Sequence, residues 1–178
     1  MKSAKRLFAL FFLLTLGTSA ALSGPAYGAD DDGLPPVTLV QASNLQADGQ
    51  QADKRHVPIL LMFAQHGCSW CHYVEEDQLK PMLRNADYRA HVIIRQIMTD
   101  DLNNITDFDG SATDANTLAA RYNATLTPTV VFVDATGKQL VPSIVGVSNP
   151  DFYGGDLDNG LARSEQIISS QLAALNLK

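Results

Sequence analysis

The chain runs to 178 residues, carries 13 basic and 19 acidic side chains for a net charge of −6, and is 46% hydrophobic. That length and apolar content suit one domain with a proper core. The acidic balance, without a basic run or stripe, argues against nucleic acid or an anionic lipid surface as partner.

Lys2, Lys5 and Arg6 precede an apolar run at residues 7–16, and small residues follow as far as Ala26-Tyr27-Gly28. The pattern predicts a secretory signal peptide at residues 1–28, cut between Gly28 and Ala29. An apolar run of about ten residues falls short of the roughly 20 that span a bilayer, so no stable membrane anchor is expected after cleavage. No cysteine at the cut points to a lipid anchor. Removal takes three basic residues and no acidic one, which leaves ten against nineteen and a net charge of −9. Export places the mature chain in the periplasm, where disulfides are permitted.

Residues 29–36, with Asp30, Asp31, Asp32, Pro35 and Pro36, read as a flexible tether, and residues 37–178 as the domain. Residues 37–40 predict a first strand and residues 44–55 a polar surface helix. Pro58-Ile59-Leu60-Leu61-Met62-Phe63 is a short apolar run of buried-strand character. A brief connection at residues 64–67 leads to Cys68, which is expected to cap a helix that Pro81 ends or kinks near Leu79. Residues 92–97 give the next strand, and the spacing of Ala115, Leu118, Ala119 and Tyr122 the next helix. Strand, helix, strand, helix implies parallel pairing up to this point. The long connection at residues 99–113 holds Asp100, Asp101, Asp107 and Asp109, with Asp114 just beyond, and is expected to be a solvated acidic loop. A third core strand at residues 129–133, a turn at 134–138 and a fourth strand near 140–145 predict a hairpin. The chain closes in a helix whose stripe is Leu157, Leu161, Ile168, Leu172 and Leu175. There is no internal repeat and no sign of a second domain.

The chemistry centres on Cys68-Ser69-Trp70-Cys71, which holds the only two cysteines of the chain, placed where an apolar strand gives way to a helix. Helix-terminal N–H groups and the helix dipole would raise the thiolate fraction of Cys68, and the thiolate is the species that attacks disulfides. Cys71, one turn further in, would be shielded and act as the resolving thiol. Two other readings stay open. His72 completes C-x-x-C-H, the pattern of covalent haem attachment, with His72 and one of Met62, Met82 or Met98 as axial ligands. His66 and His72 could also join the cysteines around a metal, although Cys71 and His72 diverge on a helix. Downstream, Thr127-Pro128 stands at a strand entrance. As a strand-edge proline it needs no further explanation. If the bond is cis and lies beside Cys68, the Thr127 backbone could pair with an incoming peptide as an added strand. Trp70 could stack on that peptide at the rim. His56 and His91 read as ordinary surface histidines, and Asn104 and Asn123 head glycosylation sequons that matter only in a eukaryotic secretory host.

Together, the strand at residues 59–63, Cys68-Ser69-Trp70-Cys71, the Leu118-Ala119-Ala120-Arg121-Tyr122 helix, Thr127-Pro128-Thr129 with the strand ending at Asp134, Gly137 and Gly146 resemble the thioredoxin superfamily. The likeness spans residues 45–175 and is greatest to exported single-domain members. It implies an α/β thioredoxin fold with a central mixed β-sheet flanked by helices, Cys68 as nucleophile, Cys71 as resolver and Pro128 as the cis proline opposite them. The implied activity is that of a thiol:disulfide oxidoreductase that reduces disulfides of exported proteins and is recharged by a membrane electron carrier. No cofactor, metal ligand or nucleic-acid partner is expected. Three features depart from the pattern. Met62 stands where cytosolic thioredoxins carry a proton-transferring aspartate, so the proton of Cys71 must go to water or another group, such as Glu75 one turn on. Ser69-Trp70 replaces Gly-Pro, which leaves the reduction potential unreadable by analogy. The connection at residues 99–113 is longer than usual. A haem electron-transfer protein and a non-redox binding module or metal chaperone remain the alternatives.

Overall fold

The computed structural model describes residues 36–177. The expected signal peptide, and the tether except for Pro36, lie outside the described residues. The elements are α1 (Leu45–Arg55), β1 (Ile59–Ala64), α2 (Ser69–Tyr73), a π-helical turn (Val74–Leu79), α3 (Lys80–Arg84), α4 (Ala86–His91), β2 (Ile93–Met98), β3 (Asn104–Thr106), β4 (Ala112–Asp114), α5 (Ala115–Arg121), β5 (Thr129–Val133), β6 (Ile144–Val145) and α6 (Pro150–Asn176). Among them no helix is long and apolar enough to cross a membrane.

The main sheet has the order β2-β1-β5-β6. β1 runs parallel to β2, with Ile59 opposite Ile93, and antiparallel to β5, with Met62 opposite Val130; β6 continues antiparallel beyond β5. This is the mixed sheet of the thioredoxin fold. β1 is buried along its whole length because both faces of the sheet are covered. Alternate residues divide between two cores. Leu60, Met62, Val130 and Phe132 pack with Leu157 and Leu161 of α6, whereas Ile59, Leu61, Phe63 and Val131 pack with Leu45 of α1 and Leu118 of α5. The contact with α6 is close: a Cβ on Gly160 would stand 2.5 Å from the Phe132 ring, so the helix can lie this low on the sheet only where it has no side chain.

Five expectations need correction. Residues 37–40 form no strand: Val40 and Ala42 bond both backbone groups of Gln96, but the chain then turns into the Asn44 cap of α1. The helix after the cysteines, expected to end or kink near Leu79, runs on past it. It shifts there from the π turn, in which the Lys80 N–H reaches the Glu75 carbonyl, to α3, whose first turn seats Pro81. A proline costs little at that place, because first-turn N–H groups lack a helical partner anyway. The fourth strand shrinks to Ile144–Val145, since Pro142 interrupts the run, while Gln139 still bridges Val133. Along α6, Tyr153, Leu157, Leu161, Ser164 and Ile168 are buried, but Leu175 is 68% exposed because the helix outruns the sheet it packs on.

The connection at residues 99–113 is not a plain solvated loop. It carries the antiparallel β3–β4 hairpin, which buries Ile105 and Asp107. Arg121 of α5 donates to both carboxylate oxygens of Asp107, one bond measuring 2.8 Å. The guanidinium holds the Asp107 carboxyl below its ordinary value. A lowered folded-state pKa means that the pair stabilises above about pH 4 and that its contribution fades as pH falls through the lowered value. Asp107→Asn is therefore expected to cost about 2–3 kcal/mol at neutral pH in thermal melts, with the gap between wild type and variant narrowing as pH falls through the lowered Asp107 value. A gap that persists undiminished below that value would mean that the charge is not what stabilises.

Candidate active site

β1 delivers the chain to the site. It ends at Ala64, and a turn through Gly67, at φ 72° in the left-handed region, swings the backbone into α2 with Cys68 as the N-cap. Cys68 Sγ accepts the Cys71 backbone N–H at 3.1 Å. The two cysteines are joined in a disulfide with their Cα atoms 5.2 Å apart. Cys71 is 4% exposed and belongs to the α6-side core, while Cys68 is only half-buried. A nucleophile arriving from solvent therefore meets Cys68 first.

The strand entrance at β5 comes to the same place. The Thr127–Pro128 peptide is cis, the Thr127 carbonyl oxygen lies 3.8 Å from Cys68 Sγ, and the Thr127 hydroxyl lies 3.7 Å from it. A disulfide sulfur has no proton to give, so the first of these is a packing contact; a thiol there could donate to the carbonyl. Thr127 Oγ1 also bonds Gln65, and Pro128 is buried with its carbonyl accepting from Gly146 at 2.8 Å. Trp70 is 49% exposed and packs edge-on against Tyr73 with ring centres 5.8 Å apart. Leu126, two residues before Pro128, and Val145, paired with Thr129, are also exposed. The residues singled out in the sequence, Cys68, Trp70, Cys71, Thr127 and Pro128, thus lie on α2 and at the entrance of β5, the cysteine and Thr127 in direct contact.

A cleft of roughly 440 Å³ opens on the other side of the disulfide, lined by Cys68, Cys71, Gln65, Glu75, Gln96 and Met98. Glu75 Oε2 accepts from Gln96 Nε2 at 3.2 Å, and Gln96 Oε1 accepts from Gln41 Nε2 at 2.7 Å. Lys80 Nζ stands 3.4 Å from Glu75 Oε1 and 2.5 Å from Glu76 Oε1. Its pKa is raised, first by the hydrogen bond to Glu76 and also by Glu75, so it stays cationic. Met62 is fully buried in the core that holds Cys71 and offers no proton acceptor. Gln41 and Gln96 escaped the sequence reading. The signal was present in Gln96, a polar residue inside an apolar strand.

The two histidines beside the cysteines turn elsewhere. His66 Nδ1 meets Asp100 at 3.1 Å and His72 Nδ1 meets Glu76 at 3.9 Å. His66, Asp100 and Asp101 bring potential ligand atoms within 4.8 Å of one another, an arrangement that the contacts of His66 with the two carboxylates already account for. Haem attachment gains no support from this geometry, because the two sulfurs are bonded to each other and His72 faces a carboxylate.

A family model described as a thioredoxin-like domain matches residues 45–153. Among solved structures, thioredoxin of Fasciola hepatica aligns at 16% identity over 71% of this chain and 99% of that one, with a TM-score of 0.47. A thioredoxin-fold protein from Helicobacter pylori gives 20%, 67%, 86% and 0.41, and the reduced periplasmic thioredoxin SoxS from Paracoccus pantotrophus gives 18%, 60%, 98% and 0.42. No curated protein sequence gave a significant match.

Proposed function

Because the chain belongs to the thioredoxin-like family and is a thiol:disulfide oxidoreductase, we propose that it reduces disulfides of exported proteins in the periplasm, with Cys68 as nucleophile and Cys71 as resolver. The observation that carries the assignment of roles is the Cys71 N–H aimed at Cys68 Sγ, which favours a thiolate there, combined with the burial of Cys71. The cycle begins from the dithiol. Cys68 thiolate attacks one substrate sulfur, the substrate disulfide breaks, and the departing thiolate takes a proton from solvent. The Cys71 thiolate then attacks Cys68 Sγ, the mixed disulfide breaks, and the second substrate thiolate leaves. Two electrons pass to the substrate, and the enzyme ends as the Cys68–Cys71 disulfide.

The Thr127 backbone beside Cys68 would hold the substrate segment as an added strand, with Pro128 fixing its position and Trp70 covering the rim. The signal-peptide pattern of residues 1–28 supports export, with residues 29–36 as tether and residues 37–178 as the working domain. The resemblance of the motif order to exported reductases supports the reducing direction and a membrane electron carrier as the source of electrons. The test is the equilibrium potential of the Cys68/Cys71 pair in the mature protein, with a visible spectrum of the same sample. The expected value is near thioredoxin's, roughly −270 mV, whereas one near about −120 mV would make the protein an oxidant. A Soret band, or a pair that fails to cycle, would overturn the reading altogether.

A further inference from the structure

Resting on that reading, we propose that Glu75 is the acceptor of the Cys71 proton, and that Gln96 and Lys80 hold its carboxylate at the cleft. The resolving step needs a base: a thiol must lose its proton before it attacks, and burial among apolar residues makes that loss costly. Met62 cannot serve. Glu75 shares a helix face with Cys71, four residues back, and both side chains line the same cleft. It sits in the π turn, a rare geometry that recurs at functional sites.

The carboxylate is fixed from two sides. Gln96 is 6% exposed, which makes its side-chain amide a costly residue for a strand unless the amide is used. Gln41 occupies the Gln96 oxygen, so the NH₂ end is delivered to Glu75. Lys80 reaches the other carboxylate oxygen. The remaining titratable neighbours are His72 on the cleft wall and Glu76, which Lys80 also neutralises. From β1, β2 and the connection after β1, the facing residues are Ala64, Met98 and Gln65, none of which titrates. In the step itself, the proton passes from Cys71 Sγ to the Glu75 carboxylate, directly or through cleft water. The Cys71 thiolate displaces the substrate thiolate from Cys68, and Glu75 later returns the proton to solvent.

The sign of the effect separates this role from a purely electrostatic one. A bystander carboxylate disfavours a neighbouring thiolate, so its removal would speed resolution. Loss of a base slows it. The experiment is single-turnover reaction of the reduced protein with an aromatic disulfide that releases a coloured thiolate, once on attack by Cys68 and again on attack by Cys71. In Glu75→Gln the first phase is expected at the wild-type rate and the second about 100-fold slower at pH 7, with the deficit closing as pH rises past the ordinary thiol pKa of about 8.5. Gln96→Leu, which keeps the core filled, is expected to slow the same phase by a smaller factor. A second phase that is unchanged, faster, or slowed equally at every pH in Glu75→Gln would overturn the proposal, as would Gln96→Leu at the wild-type rate. Wild-type protein that fails to release the first thiolate would instead strike at Cys68 as nucleophile, so the two failures are distinct.

Discussion

Replacing Cys68 by serine is expected to reduce disulfide exchange to background, while Cys71→Ser is expected still to attack substrate and to accumulate the mixed disulfide. The asymmetry follows from the placement of the pair. Cys68 caps α2 at the surface, receives the Cys71 N–H and touches Thr127, whereas Cys71 is closed into the core behind it. A serine hydroxyl at position 68 is too weakly acidic to form the attacking anion and cannot form a disulfide, so the loss is complete rather than graded. Without the Cys71 sulfur, the Cys68–substrate bond has no internal attacker and persists. Non-reducing electrophoresis and intact mass of each variant after exposure to a disulfide-bonded protein check both halves. An adduct trapped by Cys68→Ser and none by Cys71→Ser would reverse the assignment.

Phe132→Ala is expected to cost about 3–5 kcal/mol of folding stability. Phe132 is fully buried in the middle of β5 and fills the space that Gly160 opens under α6. Neither neighbour can close the hole: β5 is pinned between β1 and β6, and α6 rests on Leu157 and Leu161 to either side. For a domain of this size the melting temperature should fall by on the order of 10 °C. Leu175→Ala, at the exposed end of the same helix, serves as control with little change expected. A loss below about 1 kcal/mol for Phe132→Ala would show that α6 is not seated on the sheet as described.

What the sequence revealed depended on whether the signal was local. Thr129-Val130-Val131-Phe132-Val133 and the run ending at Phe63 announce buried strands by composition alone, and Cys68, Cys71, Thr127 and Pro128 stand out as residue types with narrow uses. The helix expected at residues 44–55 is α1, with Asn44 turning out to be its cap, whose side chain accepts from Ala47. The β3–β4 hairpin was not legible, because each strand has three residues and its stability comes from Ile105 and from the Asp107–Arg121 pair, formed with a helix later in the chain. Pro81 looked like a helix end or kink because a preceding π turn leaves no mark in composition. The Gln41–Gln96–Glu75 chain joins three separate segments, so Gln41 and Gln96 read singly as polar residues, and Glu75 was picked out only by its place one turn beyond Cys71.

The margins of the sheet have a consequence for the company this molecule keeps. On one side β6 offers two residues between Pro142 and Gly146. On the other, Val40 and Ala42 already bond the backbone of Gln96 in mid-strand. Neither side presents a long row of open N–H and C=O groups, the template on which extended chains stack into insoluble aggregates. If its substrates are exported proteins with exposed disulfides and unsatisfied strands, a sheet closed at its margins in this way is expected to meet them without being recruited into their precipitates.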